Sequence, residues 1–242
     1  MALRGWVRNT LAAAVFGLAT TAWATAATPT PAPGQYTYTE GGNGHGTLTI
    51  KGTSFTLTTI GGNCHTCALE GTIEGGVGVA KDSNGACRIT MSGTGSMLTL
   101  DSTGTVDACR DFCGARAGFD GEYLRPPAAC TDRQRAARIE QSHKQYAAKD
   151  YDVARTTLTS LLSECGTFMD WIERDKAKSD LALTEYHRGD SAQCLAVLSD
   201  TVAVRAQKSN FNFMPPCDAE NYAPTGKAIL HNQALCQAPA KR

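Results

Sequence analysis

The stretch DACRDFCGARAGFDGEYLRPPAAC, residues 107–130, divides the chain into two kinds of sequence. Upstream, glycine and threonine alternate with single apolar residues; downstream, alanine, leucine and charge recur at helical spacing. The division reads as a segregated α+β fold, with an N-terminal small antiparallel β barrel or sandwich and a C-terminal domain of repeated helical hairpins. Three of the ten cysteines fall inside the stretch. Asp107 is placed to cap a short helix with Cys109 and Cys113 on one face. Small residues at 114–118 permit close backbone approach, and Phe119 and Tyr123 then flank a turn at Asp120-Gly121. Two readings of these residues stand. In one, the aromatic pair plugs the joint between two domains while Arg116 neutralises a nearby carboxylate; in the other, Arg116 and Asp120 belong to a partner-binding surface.

Residues 35–106 carry the β pattern. Leu48 and Ile50, Phe55 and Leu57, Leu69 and Ile73, Val77 and Val79, Ile89 and Met91, and Leu98 and Leu100 alternate with Thr, Ser, Gly or charge. Turns such as Lys51-Gly52, Gly75-Gly76 and Ser83-Asn84-Gly85 separate the pairs, which predicts about seven short strands in an antiparallel meander. A domain so rich in glycine and short of large apolar residues gains little from burial alone. Disulfides have to make up the difference, each contributing about 2–4 kcal/mol.

Residues 1–26 read as a secretory signal: Arg4 and Arg8 lie ahead of an uncharged apolar segment, and Ala24-Thr25-Ala26 is a small-residue cleavage site. Residues 27–34 form a Pro-rich spacer, expected to be extended and disordered. The mature protein is then periplasmic or secreted, and no later segment approaches the roughly 20 apolar residues that span a bilayer. Cleavage takes two arginines and no acid from a chain with 23 basic and 23 acidic side chains. The nearly neutral product has no basic run, which argues against nucleic acid as a partner.

In an oxidising compartment Cys64, Cys67, Cys87, Cys109, Cys113, Cys130, Cys165, Cys194, Cys217 and Cys236 form a disulfide framework. Spacing does not reveal the connectivity. Six of them lie in or beside the first half and four in the second, which allows each half to be closed on itself.

Downstream of residue 130 the sequence is helical, a domain of residues 131–242 that ends in a C-terminal tail. Thr131 to Gln134 fits a capping box ahead of a helix running to about Lys149. A second helix ends at Cys165 with Ala154, Leu158, Leu161 and Leu162 on one stripe. The third, residues 170–188, has Asp170 with Arg174 and Glu173 with Lys176 as supporting pairs. A fourth carries Cys194, Leu198, Thr201 and Val202. Residues 209–224 read as a Pro- and Asn-rich loop, and residues 225–236 as a last helix. Gln145-Tyr146, Asp150, Ala154 and Leu158 recur 40 residues later as Glu185-Tyr186, Asp190, Cys194 and Leu198.

Candidate chemistry is sparse. Cys64-His65-Thr66-Cys67, with His45 on a neighbouring turn, admits zinc or redox readings, but no second CxxC and no βαβ setting accompany it, so structural disulfides are the better account. Glu70 with Glu74, or Asp120 with Glu122, offers acid–base pairs for glycan hydrolysis; solvated carboxylates read the same way. No nucleophile elbow, HExxH or phosphate-cradling loop is present, so neither a catalytic residue nor a metal or cofactor is assigned. The remaining mode of work is binding, with Arg116, Asp120, His45 and His65 as candidate contacts.

The hairpin pattern of residues 132–206 resembles tetratricopeptide-type repeats, which implies a groove that holds a protein segment. The β half with its CGARAGFDGEY ending resembles exported proteobacterial proteins of the lysozyme-inhibitor kind, small disulfide-bonded β-domains that insert a loop into the lysozyme cleft. One such family carries an S-G-x-R-Y segment; here Gly114 and Arg116 match, while Cys113 and Ala117 replace the serine and tyrosine. The resemblance implies a protein partner in the cell envelope: lysozyme, or alternatively an envelope machine such as type VI secretion that this protein serves as an adaptor.

Overall fold

A computed structural model describes Met1 and residues 31–39, 45–209 and 214–238. Apart from Met1, the signal segment lies outside the described residues, as does the spacer before residue 31. Pro33-proximal residues of the spacer are held in place rather than free. Tyr36 Oη donates to the Ala32 carbonyl at 2.8 Å, and the Arg125 guanidinium donates to the carbonyls of Ala32 and Pro33 at 3.2 and 2.8 Å.

Eight antiparallel strands form a closed barrel in which each pairs with its sequence neighbours. They are β1 (Gly34–Tyr38), β2 (His45–Lys51), β3 (Ser54–Ile60), β4 (Thr66–Glu74), β5 (Val77–Lys81), β6 (Ala86–Ser92), β7 (Met97–Asp101) and β8 (Gly121–Leu124). Seven arise where the period-two pattern predicts them. The eighth comes from the junction, and its pairing with β1 (Thr37↔Leu124, Tyr38↔Tyr123) makes the domain a barrel rather than a sandwich. Alternate side chains point inward, so Tyr36, Leu48, Ile50, Phe55, Leu57 and Met91 are all buried. Phe119 and Tyr123 join this core instead of plugging a domain joint. Tyr123 Oη donates to the Phe119 carbonyl at 2.8 Å, and burial pushes its phenol far above the ordinary tyrosine range.

The junction also differs from expectation in its cysteines. Helix α1 (Val106–Arg110) begins after Thr105, not at Asp107, and Cys113 lies beyond its end. Cys109 reaches Cys87 on β6, whereas Cys113 reaches Cys67 on β4. Thr105 Oγ1 accepts from Arg88 N and donates to Arg88 O, both at 2.9 Å, which fixes the start of α1 to β6.

The helical half comprises α2 (Asp132–Ala147), α3 (Tyr151–Cys165), α4 (Trp171–His187), α5 (Ser191–Leu198), α6 (Val202–Ser209) and α7 (Pro216–Gln237). Helices α2 and α4 end alike. Lys149 and Gly189 take left-handed backbone (φ 63° and 85°), Asp150 N donates to Gln145 O at 2.9 Å, and Asp190 N donates to Glu185 O at 3.0 Å. This is the Schellman ending, which satisfies two terminal carbonyls and turns the chain back. Ala154 and Cys194, four residues beyond each aspartate, are fully buried.

Several local expectations are corrected. The fourth helix breaks after Leu198: Thr201 Oγ1 donates to the Leu198 carbonyl at 2.6 Å, and α6 restarts with Val202 N donating to Asp175 of α4 at 2.8 Å. Asp170 caps α4, accepting from Ile172 N and Glu173 N, so it is spent and does not pair with Arg174. Glu173 holds Arg135 with two bonds of 2.9 Å instead of Lys176. Thr131 makes no side-chain cap bond to α2. The segment expected as loop is mostly helix, since α7 starts with Pro216 in its first turn, where a missing N–H costs nothing, and continues through Pro224. Residues 210–213 of that segment lie outside the described residues.

Five disulfides use every cysteine: Cys64–Cys217, Cys67–Cys113, Cys87–Cys109, Cys130–Cys165 and Cys194–Cys236. The halves are therefore not closed separately. Two bridges cross the six-and-four division, because the start of α7 docks on the β3–β4 turn and the end of α3 on the Ala128–Cys130 turn. This framework fits an oxidising compartment. No helix among the described residues is long and apolar enough to cross a membrane.

Candidate functional site at one end of the barrel

In an up-and-down barrel alternate turns share an end. The β1–β2, β3–β4 and β7–β8 connections therefore lie on one rim, and all four candidate residues are carried there. His45 opens β2 opposite Ile60, the last residue of β3; Ile60 faces Thr66 at the start of β4, next to His65; and Gly114 N donates to the Thr66 carbonyl at 2.8 Å, which brings the Arg116 loop alongside. Asp120 precedes β8, and its carbonyl accepts from Tyr38 Oη at the end of β1 at 3.0 Å. Turn parity was the available signal for this gathering.

The loop of residues 113–118 is tightly held. Cys113 is bridged to β4, Ala117 N donates to Gly114 O at 3.0 Å, and Thr59 Oγ1 donates to Gly118 O at 2.8 Å. Gly61 passes so close beneath that a Cβ there would overlap the Arg116 carbonyl, and a Cβ on Gly114 would lie 2.5 Å from His65 Nδ1. The backbone is fixed while Arg116 is exposed, with no ion pair among the described residues. Asp120 has a different role: its carboxylate accepts from Ser102 N at 2.9 Å and Ser102 Oγ at 2.7 Å, which ties β8 to the end of β7.

Cys64 and Cys67 do not form a dithiol pair, since Cys67 faces the barrel core and Cys64 faces α7. No group of three or more His, Cys, Asp or Glu side chains suited to a metal exists among the described residues. Around Cys64 a seam joins the two halves. Asn63 and Cys64 both take φ 57°, a costly backbone for residues with side chains. Asp218, one residue past Cys217, holds it by accepting from Asn63 N at 2.9 Å and Cys64 N at 3.2 Å, and Cys217 N donates to Asn63 Oδ1 at 3.1 Å.

A cleft of about 390 Å³ lies between the end of β1, the start of β2 and the start of α4. Thr37, His45 and Thr47 form its barrel wall; Phe168, Trp171 and Arg174 form its helical wall. His45 Nδ1 is buried without a hydrogen-bond partner. At the base, burial alone would lower the pKa of Arg135, but the carboxylates of Glu173 and Asp132 more than offset it, so the guanidinium is held firmly charged. Asp218 and Trp171 had no marker in the sequence, and Arg174 was marked only as a supporting pair with Asp170. They qualify only through the docking of the helical half onto this rim. Comparison with protein-family models, curated proteins and solved structures finds no match for this chain.

Proposed function

We propose that this is an exported, non-enzymatic protein-binding module of the cell envelope, periplasmic or secreted, that meets its partner at the barrel rim. The observation that carries the reading is the clamped loop of residues 113–118, which presents an exposed, uncommitted Arg116 from a backbone held on both sides. A loop fixed in advance loses little conformational freedom on binding, which is how small disulfide-bonded β-domains grip a cleft. The partner class this fits is lysozyme, in keeping with the Gly114 and Arg116 resemblance. The acid–base alternative has less support, because Glu70 and Glu74 stand four residues apart on one strand, roughly 13 Å, beyond the separations glycosidases use, and the Asp120 carboxylate of the other pair is occupied by Ser102.

The test is lysis of peptidoglycan by lysozyme with and without the purified chain. Protection is expected, and Arg116→Ala is expected to weaken it roughly tenfold, as for a central arginine contact. Turbidity falling at one rate with and without the protein would remove lysozyme as the partner. The matched Schellman endings and buried Ala154 and Cys194 favour a second reading, in which tetratricopeptide-like hairpins dock the protein to an envelope machine such as type VI secretion. That reading expects secretion components to co-purify with the tagged chain, and to be lost when residues 131–242 are removed.

A further inference from the structure

We propose that the cleft between the barrel rim and α4 binds the free carboxyl end of a peptide, with Arg174 receiving the α-carboxylate. The starting point is the contrast between Arg174 and the paired cations of the helical half. Arg135, Arg138, Arg155, Lys178 and Arg188 each hold a carboxylate at 2.9 Å or less. Arg174 is half-buried, and its guanidinium has no hydrogen bond or ion pair among the described residues. Its natural neighbour, Asp170, is occupied in capping α4. A guanidinium removed from part of its water without a counter-charge costs stability, which points to a ligand as the missing partner.

Position supports this. Arg174, Thr167 and Trp171 line both the 390 Å³ cleft and an adjoining one of about 610 Å³, so the arginine stands where two clefts meet. Together they have the size of a site for a few residues of extended chain. Charge selects the ligand. Asp132, Asp170, Asp175 and Asp200 line the same walls with Arg135, Lys178 and Arg205, and the carboxylates that hold Arg135 and Lys178 leave the Arg174 guanidinium uncommitted; one planar guanidinium matches one singly charged carboxylate in a two-pronged bond. Phe168 and Trp171 offer an apolar surface beside that bond, suited to the side chain of a terminal apolar residue. The Thr37 and Thr47 hydroxyls opposite can bond peptide amides.

The inference rests on the protein-binding reading but uses a different surface from the Arg116 loop, so the lysozyme assay and the following experiment can fail separately. Titration calorimetry of the full chain would use acetyl-Gly-Ser-Gly-Ala-Leu with a free carboxyl end, the same peptide amidated, and an amidated version with an internal aspartate. The free form is expected to bind at least tenfold more tightly than either amide, and to move the indole signal of Trp171 in NMR spectra. Arg174→Gln should reduce binding of the free form at least tenfold and leave the amides unchanged, with Arg174→Lys in between. Because the Arg174 guanidinium has no partner to lose, its variants should melt no lower than the parent. Equal affinity for free and amidated peptide needs no variant to read and overturns the proposal. So does tighter binding of the aspartate peptide, or no binding of the free form at millimolar concentration.

Discussion

Replacing Cys64 and Cys217 by serine is expected to turn one unfolding transition into two. Their bridge spans 153 residues and is the covalent link between the β3–β4 turn and the first turn of α7. Constraint of so long a loop is worth about 3–5 kcal/mol, with the lower figure favoured because other bridges already shorten the unfolded chain. The strained Asn63 and Cys64 backbone works in the same direction, since once the tether is cut the turn can relax and Asp218 loses the two N–H donors it holds there. The barrel, with Cys67–Cys113 and Cys87–Cys109 intact, should keep its midpoint. In a urea titration, Trp171 fluorescence would report the helical half and the NMR amide signals of barrel-core residues such as Leu57 and Ile89 the barrel. The two probes should coincide for the parent and separate for the variant, the helical midpoint moving lower. Coincident curves with an unmoved midpoint would mean that the seam is held by something other than the bridge.

Gly71→Val should cost about 3 kcal/mol or more through overpacking and strand displacement. A Cβ at Gly71 would overlap the carbonyl oxygen of Val79 and come within 2.7 Å of its carbon and 2.9 Å of the Phe55 ring. Neither neighbour can yield cheaply. Val79 is paired on both sides, with Thr72 and Arg88, and the Phe55 ring fills the space left over Gly71 and Gly78. The matched control is Gly62→Ala, where a Cβ meets nothing within 4 Å and no positive φ is required. That change should stay within about 0.5 kcal/mol. Denaturant midpoints of the two variants decide the matter: equal losses would mean that Gly71 is not a site of close strand approach.

What could be read from the sequence follows how local its cause is. Seven strands were legible because a half-buried strand writes its burial as period two, and the first three long helices because helical spacing is local, although the Thr131 cap and the Asp170–Arg174 and Glu173–Lys176 pairs expected to support them do not form. β8 was hidden because Gly121-Glu122-Tyr123-Leu124 is too short to show a period and sits among cysteines that draw attention elsewhere. The extent of α7 was hidden by Pro216 and Pro224, since the first is harmless only by virtue of standing in the opening turn. Disulfide partners were not legible at all, because pairing is decided by which elements dock. Of the candidate site, the residues His45, His65, Arg116 and Asp120 were named one by one; what joined them was the parity of the turns, and what completed the cleft was Arg174 on a helix more than a hundred residues from His45. The role of Asp120 depended on Ser102, a contact that no motif marks.

The seam has a consequence for how the molecule is made. A chain that crosses a membrane amino end first presents Cys64 and Cys67 to oxidants together, long before Cys217 arrives, and two thiols three positions apart are the easiest pair to join wrongly. The mature pattern then demands either that Cys64 stay reduced through most of translocation or that an early wrong bond be exchanged later. Along the second route, maturation of the exported chain proposed above draws on thiol-shuffling capacity in its compartment, and its yield should track that capacity more closely than the supply of oxidant.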